Sequence, residues 1–224
     1  MGRARDSVTS EEWQQMAAAE VAKSPEQRED EYQCAIMCGE YHHADCPVGA
    51  KLRDCWTTPS WLTTILPRVT LDPCSNPFST VNALHNYMLE QPEVNFVGSP
   101  SGAITRTMHK GDGLAVSWKN RTVFVNPPYS AILPWARKAD EAKAFIFLVN
   151  NVTTTKWYRE LLHNGGSYKF EFDKRLRFEP PPRIKPSTNN RDQVLICNRE
   201  GYQMIGDRLK GRGRWWGEHM GYAD

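Results

Sequence analysis

No run of about 18 consecutive apolar residues occurs anywhere in the 224-residue chain, which argues against a membrane-spanning helix. The start lacks a charged, apolar and small-residue leader pattern, so secretion is not expected. The sequons Asn120-Arg121-Thr122 and Asn151-Val152-Thr153 then carry no glycosylation meaning. Cys-x2-Cys pairs are absent, and with them the spacing of a zinc ribbon or finger. A glycine-rich Phe-x-Gly-x-Gly turn, the usual backbone approach to a nucleotide after a first strand, is absent too. The six cysteines, with no export signal, read as reduced thiols or metal ligands rather than a disulfide framework.

What is present fits one α/β domain with an extension. Aromatics make up 11% of the chain, with eight tryptophans, enough for a sizeable core. The net charge of +2 hides an asymmetry. Residues 1–50 hold four Lys or Arg against ten Asp or Glu, whereas residues 51–224 hold 24 against 16. A basic body suits a protein that meets phosphate backbones, although a solvated surface produces a milder form of the same bias.

Along the chain, Ser10 to Val21 reads as a helix capped by Ser10, within an acidic helical extension over residues 1–50. Cys34, Cys38, His42 and Cys46 lie close together there. They supply the number of ligands a zinc site needs without its usual spacing, and cysteines also serve as small core residues. The body, residues 51–200, opens with a helix capped by Thr58 with Pro59 at its first position and Pro67 as its stop. Val69 to Asp72 is a strand ending in an acid and a proline, and Pro77 to about Glu90 is expected as a helix capped by Asn76. Val94 to Val97 is expected as a strand, and Gly98 to Gly113 as a long loop. Thr122 to Val125, Phe145 to Val149, Tyr168 to Phe172 and Val194 to Cys197 follow as strands, with helices from Ala131 to Ala144 and from Thr155 to Leu162. Strands alternating with helices predict a mostly parallel sheet. Residues 201–224 form a basic, aromatic tail, solvated or in contact with nucleic acid.

The stretch richest in chemistry is Val123-Phe124-Val125-Asn126-Pro127-Pro128-Tyr129. A buried strand stops at two prolines that cannot donate to a ladder, which leaves a polar amide and an aromatic at its carboxyl end. A bland proline-rich turn is one reading. The other is methyl transfer to an exocyclic amine. Such an amine is a weak nucleophile because its lone pair is delocalised into the ring. It needs acceptors that hold its hydrogens and draw the nitrogen toward tetrahedral geometry. The Asn126 side-chain oxygen and the Pro127 carbonyl are two, and Tyr129 offers a face for a flipped base.

Six segments in order resemble the phage-type, Dam-like DNA N6-adenine methyltransferases over roughly residues 54–197. They are Trp56-Thr57-Thr58-Pro59, Leu71-Asp72-Pro73-Cys74-Ser75-Asn76-Pro77, Asp112-Gly113-Leu114 with Trp118, Asn126-Pro127-Pro128-Tyr129-Ser130 with Trp135, Lys156-Trp157-Tyr158, and Arg175-Leu176-Arg177-Phe178. The resemblance implies a Rossmann-like, S-adenosylmethionine-dependent methyltransferase with a mostly parallel central sheet. Trp56, Thr58, Pro59, Asp72, Pro73 and Cys74 would hold the cofactor. Asp112 would stand in for the ribose-binding acid, unless it simply shapes a Gly-Asp-Gly turn. Asn126, Pro127, Pro128 and Tyr129 would carry the transfer. Ser130, Arg175, Arg177, Arg183, Lys185 and Arg191 would meet double-stranded DNA. The family also implies a cytoplasmic enzyme, encoded by a phage or prophage and of the restriction-modification kind, with no covalent cysteine intermediate. Methylation of RNA or of a protein glutamine, or a decayed DNA-binding module, are the alternative functions.

Overall fold

The computed structural model describes residues 56–76, 78–88, 107–166, 168–180 and 191–217. The expected helix from Ser10 to Val21, the Cys34, Cys38, His42 and Cys46 cluster, the Val94 to Val97 strand, Arg183 and Lys185 lie outside these residues.

Eight strands form one sheet: β1 Val69–Asp72, β2 Ala83–Met88, β3 Thr107–Lys110, β4 Thr122–Val125, β5 Ala144–Asn150, β6 Tyr168–Phe172, β7 Gln193–Cys197 and β8 Gly213–Trp216. Their order is β3-β2-β1-β4-β5-β7-β6-β8. The first five of these strands pair in parallel, whereas β7 runs antiparallel to both β5 and β6, and β8 antiparallel to β6. The expectation of a mostly parallel sheet is thus met at its centre. Among the described residues the α-helices are α1 Ser60–Ile65, α2 Ile132–Lys138, α3 Lys156–His163 and α4 Arg199–Ile205.

β5, Ala-Phe-Ile-Phe-Leu-Val-Asn, is buried at all seven positions, which is why it reads as a continuous apolar run and not as an alternation. Its side chains still divide by the two-residue period of a strand. Phe145, Phe147 and Val149 join Trp118, Trp135, Tyr158 and Leu161 on the face that carries α2 and α3. Ile146 and Leu148 join Leu62, Phe124, Phe170, Ile205 and Leu209 on the face that carries α1 and α4. Helices cover both faces, and each fully buried side chain of this size contributes about 1.5–3 kcal/mol.

Four expectations are corrected. Residues 83–88 form β2 and not a helix: Asn76 turns the chain by accepting from the Phe78 N–H at 2.9 Å, and the Ala83–Met88 backbone then pairs with β1 on one side and β3 on the other. Ladder bonds on both edges outweigh the helix propensity of Ala, Leu and Met. The long loop from Gly98 to Gly113 contains β3, and the helix that was to reach Ala144 ends in a 3-10 turn at Ala139–Glu141 so that Ala144 can open β5. The basic aromatic segment 208–216 is built into the domain. Trp215 packs on Phe170 and Tyr202 with ring centroids 5.0 and 4.9 Å apart. Arg208 donates to the Ile65 and Leu66 carbonyls at 3.3 Å, satisfying the open end of α1. Gly213 is required where β8 closes on β6, because a Cβ there would stand 2.0 Å from the Glu171 carbonyl oxygen.

Candidate functional site at the carboxyl ends of β1 and β4

From β1 the chain steps outward to β2 and β3, then returns to the other side of β1 as β4. The strand order reverses between β1 and β4, and open α/β sheets bind ligands in the crevice outside the carboxyl ends of such a pair. The register Leu71↔Val123 sets Cys74 level with Asn126. Burial is the main reason the Cys74 thiol stands well above its ordinary range; the Asp72 charge adds to this and the Asn126 backbone N–H opposes it. Asp72 is 3% exposed, and its Oδ1 accepts from the Cys74 N–H at 3.3 Å.

Asn126 donates through Nδ2 to Thr58 Oγ1 at 3.3 Å. The amide is thereby oriented with Oδ1 left to accept, an assignment that follows from the donor–acceptor pairing. Pro127 is buried, and no backbone N–H among the described residues donates to its carbonyl. The Pro128 carbonyl accepts from the Ala131 N–H at 3.0 Å and leads into α2. Tyr129 keeps 40% of its surface exposed, whereas burial, followed by the neighbouring Cys74, raises its hydroxyl above the usual tyrosine range. A neutral phenol with an open ring face is suited to stacking.

Thr58 does not cap α1. Pro59 occupies that position with no side-chain cap, and the Thr58 hydroxyl turns to Asn126. The Trp56 carbonyl accepts from Asn76 Nδ2 at 3.3 Å, tying the segment before α1 to the β1 turn. The loop after β3 reaches the same place. Gly111 N–H bonds the Met88 carbonyl and Ser75 N–H bonds the Tyr87 carbonyl, both at 2.9 Å, and Gly113 lies against Pro73. Asp112, one residue from that contact, is exposed and accepts from the Leu114 N–H at 2.8 Å, as a Gly-Asp-Gly turn requires.

Arg175 and Arg177 point outward on either side of buried Leu176, and antiparallel bonds of 2.9 and 3.0 Å between Thr57 and Glu179 join this segment to the Thr58 end of the crevice. Arg175 pairs with Asp192 at 2.8 Å; Ser130 and Arg191 are exposed. Trp118, Trp135 and Tyr158 are core side chains. Lys174, Trp61 and Arg212, beside the same segment, were not singled out by the sequence reading, although the basic aromatic run containing Arg212 was visible in it. Among the described residues no group of three or more His, Cys, Asp or Glu could hold a metal ion, and no helix is long and apolar enough to cross a membrane.

The raised thiols yield a testable expectation. In native protein at about pH 8, below the ordinary cysteine pKa, iodoacetamide should leave Cys74 and Cys197 unmodified, since burial also raises Cys197. Both should react once the chain is denatured. Peptide mapping that finds native Cys74 rapidly alkylated would show a thiolate there.

Fold and site together define a doubly wound α/β protein whose ligand crevice carries a stiff Asn-Pro-Pro-Tyr turn. Residues 104–207, just under half of the chain, match the family model of DNA N-6-adenine-methyltransferase (Dam), and over that span the chain is similar to this family. The match includes β4, the Asn126 turn and the strands through β7, whereas Trp56 to Asn76 precede it. A search of curated proteins returned no match. The family supports DNA adenine N6-methyltransferase activity in general, and it implies a methyl donor.

Proposed function

We propose that the chain transfers a methyl group from S-adenosylmethionine to N6 of an adenine flipped out of double-stranded DNA. The observation that carries the reading is the Asn126 amide: its nitrogen is spent on Thr58, so its oxygen is oriented to accept, beside a Pro127 carbonyl that takes no backbone bond among the described residues. Two acceptors fixed by prolines hold the hydrogens of a weakly nucleophilic amine, and their preorganisation lowers the cost of localising its lone pair. Tyr129 stacks on the flipped base. Loss of the amine proton requires no strong base, because the nitrogen becomes acidic as its new bond forms.

The β1 turn suits the donor's charged end. Asp72 supplies a carboxylate for an ammonium, and the Ser75 hydroxyl is buried there with no hydrogen-bond partner among the described residues. Thr58 and Pro59 flank the turn, with Trp56 and Asp112 at its margins. When bound, S-adenosylmethionine supplies an electrophilic methyl group on a sulfonium. Gly113 tests this assignment. A Cβ at residue 113 would stand 1.8 Å from the Pro73 carbonyl oxygen, so Gly113→Ala must displace the β1 turn. Calorimetry should show S-adenosylmethionine affinity at least about tenfold lower, equivalent to roughly 1.4 kcal/mol. Unchanged affinity would remove the β1 turn from the cofactor site.

The function itself is tested with tritiated cofactor against DNA, RNA and protein acceptors, followed by mapping of the modified base. Label in adenine N6 of DNA is expected. Label confined to RNA or to a protein glutamine would transfer the same chemistry to another substrate.

A further inference from the structure

A groove of ≈ 940 Å³ opens at the carboxyl end of β6, where the chain also enters β8. The segment from Asp173 to Pro180 lines it, together with Gly211 and Arg212 ahead of β8 and Pro59 and Trp61 at the start of α1. Cations outnumber acids. Glu179 is engaged through Oε1 with the Ser60 N–H at 2.8 Å, and Arg175 with Asp192. Lys174, Arg177 and Arg212 have no ion-pair partner among the described residues. The Arg212 guanidinium stands over the Trp61 ring at 4.4 Å, and Phe172 meets Trp61 edge-on at 6.1 Å. Trp61, Phe172 and Phe178 are all only partly buried.

Two kinds of nucleic acid could meet these cations, and the aromatics decide between them. A duplex keeps its bases stacked inside and shows a protein its phosphates and groove edges, which leaves partly exposed aromatic rings without a role. An unpaired strand exposes base faces, and a cationic groove with aromatic or guanidinium platforms is how such strands are held. The groove wall is tied to the Asn126 turn through hydrogen bonds, since Glu179 pairs with Thr57, and Thr58 in turn accepts from the Asn126 amide.

We infer that this groove takes an unpaired stretch of the DNA strand next to the target adenine, with phosphates on Lys174, Arg177 and Arg212 and a base against the Trp61–Arg212 stack. The inference rests on the methyltransferase reading and goes beyond it, because it makes strand opening around the target part of recognition.

The test uses the full chain and a fluorescein-labelled, adenine-free oligonucleotide of about 12 nucleotides, so that the target pocket is not engaged. Anisotropy is read between about 50 and 200 mM salt for the single strand and for a hairpin duplex of equal length. The Arg177→Ala/Arg212→Ala variant should bind the single strand at least about tenfold more weakly, with the salt slope lower by roughly 1.4, or 0.7 for each lost phosphate contact. Its affinity for the hairpin should fall less than about threefold, because on this inference neither removed cation contacts a duplex phosphate. Trp61→Leu should weaken the single strand alone, by about fivefold or more, through lost stacking. Thermal melts and cofactor calorimetry confirm that each variant is folded. A single-strand loss no larger than the hairpin loss overturns the inference. Wild type that binds the oligonucleotide, yet transfers no label from tritiated cofactor to adenine-containing DNA, would count against the methyltransferase reading and leave the groove standing.

Discussion

Asn126→Ala should lower the rate of methyl transfer by about 10²–10³-fold, the usual consequence of removing one preorganised polar group from a transition state. S-adenosylmethionine affinity should change by less than about threefold, because in the proposed reaction the amide serves the acceptor amine and not the donor. The neutral oxygen and the Nδ2 bond to Thr58 have separable roles. Thr58→Val removes only the partner that orients the amide at 3.3 Å, and should cost about tenfold or less, since a hydrogen bond of this kind is worth roughly 0.5–1.5 kcal/mol. Single-turnover kinetics at saturating cofactor separate the two effects. If Asn126→Ala transferred methyl groups at the wild-type rate, the amine-acceptor role would be lost.

The largest stability effect is expected at Trp118. The side chain is fully buried, stacks on Trp135 with centroids 6.3 Å apart, and donates from Nε1 to the Gly113 carbonyl at 3.1 Å. Trp118→Ala leaves a cavity and an unpaired carbonyl, costing about 3–5 kcal/mol. At roughly 2–4 °C per kcal/mol for a chain of this length, the melting midpoint should fall by about 6–20 °C. Trp118→Phe keeps most of the packing and loses only the hydrogen bond, so it should fall by far less. Because Gly113 lies against Pro73, the alanine variant should also weaken cofactor binding. A melting shift under about 3 °C would show that the loop packs independently of this ring.

The strands that were legible in the sequence are those whose burial is written in composition. β4, β5, β6 and β7 are short β-branched or aromatic runs, and the structure places them within a residue of expectation. β2 was illegible for a physical reason. Ala83 to Met88 favours a helix locally, and its strand state comes from paired neighbours that lie 14 or 22 residues away along the chain. The antiparallel insertion of β7 had no local signal either, since the side-chain period is the same in either direction. At the site, Asn126 to Tyr129 and Asp72 to Cys74 were legible as strand-ending turns, and the chain brings them level. The placement of Thr58 was misread. A threonine before Pro-Ser-Trp looks like a cap, whereas the competing Asn126 amide takes its hydroxyl. Arg212 looked like part of a tail because glycine-spaced basic residues carry no sheet signature until β6 supplies the partner edge.

The place of β7 also governs the order in which the chain can complete itself. β6 has no hydrogen bonds to β5, from which β7 separates it, and β8 bonds to β6 alone. As the chain leaves the ribosome, β1, β4 and β5 can associate once residue 150 has emerged, which forms the edge that carries Asp72 and Asn126. β6 follows with no neighbour to join. It waits through some twenty further residues until Gln193–Cys197 slides in between and zips both sides at once. The crevice is therefore an early product of synthesis, and the wall that carries Arg177 and Arg212 a late one. A nascent chain can own the Asn126 turn well before it owns the wall of Arg177 and Arg212.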